Sequence, residues 1–183
     1  MSTLYVDTIN EKTSGNGVQI PGHVIQVVST TKTDTQTISG TTFTDVLTAT
    51  ITPKFANSKI LIQCDINITA VLSTTITLGV RYSAAKLYRD TTQIALGDAS
   101  GNKTQVWFAS NITNTTNDGY RMAQSSGSYL DSPATTSATT YKVKCGNTAD
   151  PTFNTVINMS GPDDNFAYSH RGASTLTLME IAQ

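Results

Sequence analysis

The stretch Ile60-Leu61-Ile62-Gln63-Cys64-Asp65-Ile66-Asn67-Ile68 decides the fold. Ile60, Ile62, Cys64, Ile66 and Ile68 share one side of an extended chain, and Leu61, Gln63, Asp65 and Asn67 share the other. Successive side chains of a strand point to opposite faces, so a period of two marks a strand with one dry and one wet face.

Similar signals recur on either side. Val24 to Val28 is dense in Val and Ile, and Phe43 to Ile51 is closed by Thr52-Pro53. Thr77 to Tyr82 sets Leu78, Val80 and Tyr82 against Thr77, Gly79 and Arg81. Lys86 to Arg89 and Gln93 to Leu96 flank Asp90-Thr91-Thr92, which predicts a hairpin. Gln105 to Ala109 and Tyr120 to Tyr129 carry weaker strand signals. Thr140 to Cys145, Asn154 to Met159 and Ser174 to Ile181 complete the set. No segment keeps a capped helical period, and no repeat of fixed length is found. Roughly eight to ten short strands between polar turns predict an all-β protein, an antiparallel β-sandwich or jelly roll.

Composition agrees. Only 14% of the 183 residues are charged, against about 25% in typical soluble domains. Thr takes their place, with 33 copies in the chain. Its branched Cβ is stiff and suits a pleated surface, so the exchange favours strands over helices. A net charge of −1 offers no electrostatic footprint for nucleic acid. No run approaches the roughly 18 apolar residues of a membrane-crossing helix. Met1-Ser2-Thr3-Leu4-Tyr5-Val6-Asp7 lacks the basic and apolar blocks of a secretion signal, which predicts a protein made in a cytosol.

Candidate chemistry is sparse. Cys64 shares its face with isoleucines and Cys145 with Tyr141 and Val143, so both read as small core residues, a disulfide being the lesser reading. His23 and His170 stand in no metal-ligand spacing. Asp163-Asp164-Asn165 lacks the alternate carboxylates of a calcium loop and reads as a solvated turn. Ser125-Ser126-Gly127-Ser128 is not a Gly-x-Ser-x-Gly elbow, and Gly15-Asn16-Gly17 is not a phosphate loop. The expectation is a non-enzyme that needs no cofactor and no metal.

Two regions are left as candidates for binding. Residues 1–22 are too short to close a core, yet they carry Leu4, Tyr5, Val6, Ile9, Val18 and Ile20 around the turn signal Asn16-Gly17. They read as an attachment and oligomerisation segment, cut from the β-domain of residues 23–183 by Pro21-Gly22. Trp107, the single tryptophan, together with Tyr120, Arg121 and Tyr129 forms the second candidate, a surface for a glycan or protein. The competing reading gives these aromatics to the core or to subunit interfaces.

Three stretches carry a family resemblance. Leu4-Tyr5-Val6-Asp7-Thr8-Ile9-Asn10-Glu11-Lys12-Thr13 followed by Gly15-Asn16-Gly17-Val18 resembles the opening of marine and cyanobacterial tailed-phage fibre proteins. Tyr129-Leu130-Asp131-Ser132-Pro133-Ala134-Thr135-Thr136-Ser137-Ala138-Thr139-Thr140-Tyr141-Lys142-Val143 and Ala173-Ser174-Thr175-Leu176-Thr177-Leu178-Met179-Glu180-Ile181 are similar to the C-terminal domain of the same group. The resemblance implies a virion structural protein whose domain is a trimeric jelly roll of the C1q/TNF-like kind. It carries over no catalytic residue. It implies a homotrimer assembled in the host cytoplasm, held to other virion proteins by residues 1–22 and touching a host glycan or protein. The chain has no long stalk, so two positions stay open: a short tail fibre or tip, and a capsid decoration protein. A polysaccharide depolymerase is a distant third.

Overall fold

Ile60, Ile62, Cys64, Ile66 and Ile68 are all buried in one strand, β4 (Lys59–Leu72). The structure is a computed structural model that describes residues 6–72, 80–113, 120–148, 151–161 and 163–183. Around β4 lie β1 (Val24–Lys32), β2 (Gln36–Ser39), β3 (Thr44–Ile51) and β5 (Val80–Arg89). They are followed by β6 (Thr92–Ile94), β7 (Phe108–Thr113), β8 (Gln124–Asp131), β9 (Thr139–Gly146), β10 (Phe153–Ile157) and β11 (Ser174–Ile181). No helix occurs among the described residues. The chain is an all-β antiparallel sandwich.

Sheet one is built on β4. Its first half pairs with β11 on one edge and β8 on the other, so that Leu61 faces both Met179 and Leu130. Its second half pairs with β10, and β1 and β2 line the far sides of β11 and β10. Sheet two runs β3-β9-β5, with β6 and β7 sharing the outer edge of β5. The pairs β1·β11, β3·β9, β4·β8 and β5·β7 are all antiparallel and nested one inside the next. Between the sheets Leu47, Ile51, Leu87, Tyr141, Val143, Ile157, Leu176 and Leu178 pack against the β4 isoleucines. Each large aliphatic side chain buried here contributes about 1.5–3 kcal/mol.

Polar groups close the gaps the apolar residues leave. At one end Asp131 of β8 accepts hydrogen bonds from Arg89 Nη1 at 2.9 Å and from the Tyr141 hydroxyl at 2.7 Å, both across the sandwich. Further along, Ser83 of β5 meets Thr155 of β10 at 3.0 Å. Glu180 is fully buried, and its carboxylate accepts from Gln26 Nε2 and from the Lys54 and Phe55 amides. Asn158 mends the break between β10 and β11. It adopts a φ of 61°, a left-handed conformation Asn tolerates better than most residues. Its amide nitrogen donates to Lys32 O and Asp34 O, and its Oδ1 accepts from Ser174.

Strand boundaries follow the sequence with four main departures, one being that the strand expected from Tyr120 begins only at Gln124. β2 had no clear signal in its threonine-rich surroundings. The strand expected over Gln105 to Ala109 begins only at Phe108, and Lys86 to Arg89 is the end of the longer β5. Ser73 to Gly79, which include Leu78 of one expected strand, lie outside the described residues. Cys64 and Cys145 are free and buried. Burial pushes the Cys64 thiol up to about 12 and raises Cys145 as well, so both stay protonated and unreactive.

Ile62→Asp should cost more than about 3 kcal/mol, because it places an unpaired carboxylate in the dry layer. Ile62→Val at the same site should cost only about 1 kcal/mol. Chemical denaturation of both variants checks the facing of β4, and a wild-type midpoint for the Asp variant would invert it.

Candidate functional site

The register that buries one side of β4 exposes the other, and an apolar row results. Val27 pairs with Met179, Met179 with Leu61, and Leu61 with Leu130, which carries apolar side chains across four of the six strands of sheet one, β1, β11, β4 and β8. Val27 is 56% exposed and Leu130 49%. Beside this row lie two hydroxyl-rich rows. One is Ser29, Thr177, Gln63 and Ser128, and the other Thr31, Thr175, Asp65 and Ser126. Ser29 and Thr177 are hydrogen-bonded at 3.1 Å, and Thr31 and Thr175 at 3.3 Å. Gln63, Asp65, Ser126 and Ser128 also line a shallow hollow of about 300 Å³ on this face.

A second feature sits where β4 passes Asn67. The segment between β10 and β11 leaves the sheet at Asn158 and returns at Ser174, folding against residues 120–123. Phe166 and Tyr168 stack at 5.0 Å, and Tyr120 meets Tyr168 edge-on at 4.5 Å. Phe166 and Tyr168 stay 56% and 50% exposed. The Tyr120 hydroxyl donates to Asp164 at 3.1 Å. Lost solvation first, and the adjoining Asp164 second, push its pKa up to about 12. Asp163 is ion-paired with Arg171, so both carboxylates of this turn are engaged by their own chain.

The N-terminal segment roots at the opposite end. Gly22 N donates to Ala182 O at 2.8 Å, and Ala182 N to His23 O at 2.9 Å. Gln19 Nε2 reaches Gln183 O at 3.0 Å. Farther out, the Glu11 carboxylate accepts from the Gly15 and Gly17 amides, at 2.9 and 2.7 Å. Those two bonds hold its pKa below the usual carboxylate range. Both glycines have positive φ, 87° and 78°, which a side chain would strain. Val6, Ile9 and Ile20 are exposed and Val18 is half-buried, whereas Leu4 and Tyr5 lie outside the described residues. Residues 6–22 form no strand.

The aromatic candidates separate into two places. Trp107 packs on the core, 5.1 Å from the Phe108 ring, and Tyr129 packs on the core beside Ile62. Tyr120 and Arg121 instead sit at the loop end with Phe166 and Tyr168. Those last two lacked any sequence signal, being single aromatics in a polar loop. Gly127 of β8 explains the Trp107 position: a Cβ there would lie 2.7 Å from the indole. Gly127→Val should therefore displace the indole, destabilise the domain by about 1–3 kcal/mol and shift the emission of the single tryptophan to the red. Fluorescence and denaturation measure both effects, and an unchanged emission spectrum would place Trp107 elsewhere.

No family model matches the chain, and comparison with curated proteins finds no match.

Proposed function

We propose that the protein is a non-enzymatic structural subunit of a tailed-phage virion, working as a homotrimer in a short tail fibre or tip that touches the host surface. The observation that carries this reading is the apolar row Val27, Met179, Leu61 and Leu130 on the outer face of sheet one. A sister copy laid over that row removes aliphatic surface from water at about 25 cal/mol per Å². The rows beside it supply hydroxyls and Gln63 as neutral partners, with Asp65 the one carboxylate among them. The nested strand pairs support a jelly roll, and the resemblance of residues 129–143 and 173–181 to fibre domains supplies the trimer.

The two ends of the sandwich support a direction. The segment preceding β1 is tied beside Lys59 and Gln183, and the exposed aromatics gather past Asn67. These positions on β4 are about 26 Å apart at roughly 3.3 Å per residue. One end suits attachment through Val6 and Ile9, and the other suits contact with a surface. Attachment of the same exposed segment to a capsid sheet edge, by adding a strand, is the second reading.

Light scattering on the purified chain should give three times the chain mass. Val27→Glu with Leu130→Glu should give monomers whose melting temperature stays within a few degrees of wild type, since both side chains are about half exposed and two strands lie between them. Removing residues 1–22 should leave the domain folded and abolish incorporation into particles. A wild-type chain that stays monomeric at micromolar concentration would sink the proposal.

A further inference from the structure

We propose that the outer face of sheet two is a docking face for an anionic polysaccharide, one bearing carboxylate or sulfate groups. The sheet gathers three lysines that the sequence keeps apart. Lys86 of β5 stands directly opposite Lys144 of β9, and Lys142 lies two residues from Lys144 on the same face. Directly opposed side chains in an antiparallel pair have Cβ atoms about 5 Å apart, and like charges placed so are destabilising. Nothing in the packing of the sandwich requires this pair, because both side chains point away from the core.

One carboxylate serves two of the three ammonium groups. Asp45 lies 3.0 Å from Lys144 and 3.6 Å from Lys142. The remaining restraints are aromatic. Lys86 Nζ sits 4.2 Å from the centre of the Phe43 ring, and Lys144 Nζ 5.1 Å from that of Tyr88. The chain as a whole carries a net charge of −1, so this face departs in sign from the molecule around it. An arriving anion would relieve the Lys86–Lys144 repulsion, an energy the free face has to bear.

The chemistry selects a glycan over other polyanions. Thr48 and Thr50 of β3 and Thr140 of β9 also face outward and present hydroxyls, and Tyr88 offers a flat ring beside Lys142. Sugar rings use both kinds of group. Of the large aliphatics most open to solvent only Leu96 lies near sheet two, past its β6 edge strand, so the lysine cluster has no apolar centre of the kind a protein interface uses. A duplex nucleic acid ligand draws on some 6–10 phosphate contacts, more than three lysines beside a carboxylate provide.

This inference deepens the reading of the chain as a host-contacting subunit and rests on it for the identity of the partner. The test uses the full-length chain against polygalacturonate, dextran sulfate, neutral dextran and single-stranded DNA, with light scattering on the same samples. Wild type should bind the two acidic glycans, more weakly as salt rises, and should ignore neutral dextran. Lys86→Gln with Lys144→Gln should lose roughly tenfold in affinity and remain folded, since it removes a repulsive pair. Equal binding by wild type and variant, binding to neutral dextran, DNA binding as tight as glycan binding, or no binding would each overturn the proposal. A trimer that ignores acidic glycans sinks this inference alone, whereas a monomer that binds them sinks the assembly reading and leaves the face standing.

Discussion

The burial of one side of β4 fixes the rest of the molecule. β4 is the strand on which β8, β10 and β11 all register. Sliding it by one residue would send Gln63, Asp65 and Asn67 inward and five apolar side chains out. The register is therefore strongly specified, and everything beyond the core inherits it. Leu61 meets Met179 and Leu130 on the wet face only because Ile60 and Ile62 are held on the dry one. The surface assigned here to self-association is thus a consequence of the packing that folds the domain.

A chain so poor in charge needs other means of selecting one arrangement of its sheets. Threonine supplies part of the answer, through cross-strand pairs such as Thr31 with Thr175 and Thr50 with Thr140. Each such pair contributes about 0.2–1 kcal/mol and carries no net charge. Buried polar ties supply the rest. The Arg89–Asp131–Tyr141 group joins sheet two to sheet one at one end of the sandwich, and Ser83–Thr155 joins them farther along. Buried ion pairs add little to stability once desolvation is counted. Their geometric demands, however, reject sheets stacked at the wrong offset.

How much was legible in the residues depended on the length over which a pattern repeats. β4 alternates from Ile60 to Ile68 and its facing follows from the letters, whereas β11 keeps the pattern only to Leu178, after which Met179 faces out and Glu180 is buried. β2 is four residues of mostly polar character, and its pairing with β10 is set by Asn158 holding the Lys32–Asp34 bend. No local signal encodes that. The aromatics were legible as a candidate set and ambiguous in role. What separates Trp107 from Tyr120 is a glycine twenty residues further along, because only Gly127 leaves room for an indole. The lysine face was invisible, since Lys86 and Lys144 are neighbours through β-pairing alone.

The two outer faces of the sandwich constrain each other. A face with Lys86, Lys142 and Lys144 around one carboxylate repels its own copy, so identical subunits gain nothing by meeting there. Sheet one has the opposite character, with an aliphatic row and paired hydroxyls, and a second copy centred on that row would leave Asp65, two rows away, at the rim. The proposed association through sheet one would leave sheet two turned to solvent in every subunit. Several copies of the cationic face would then be presented together, and the effective concentration of the second and third would multiply the attraction of the first. A cluster of three lysines on one subunit would gain in effective affinity from the proposed assembly through the other sheet.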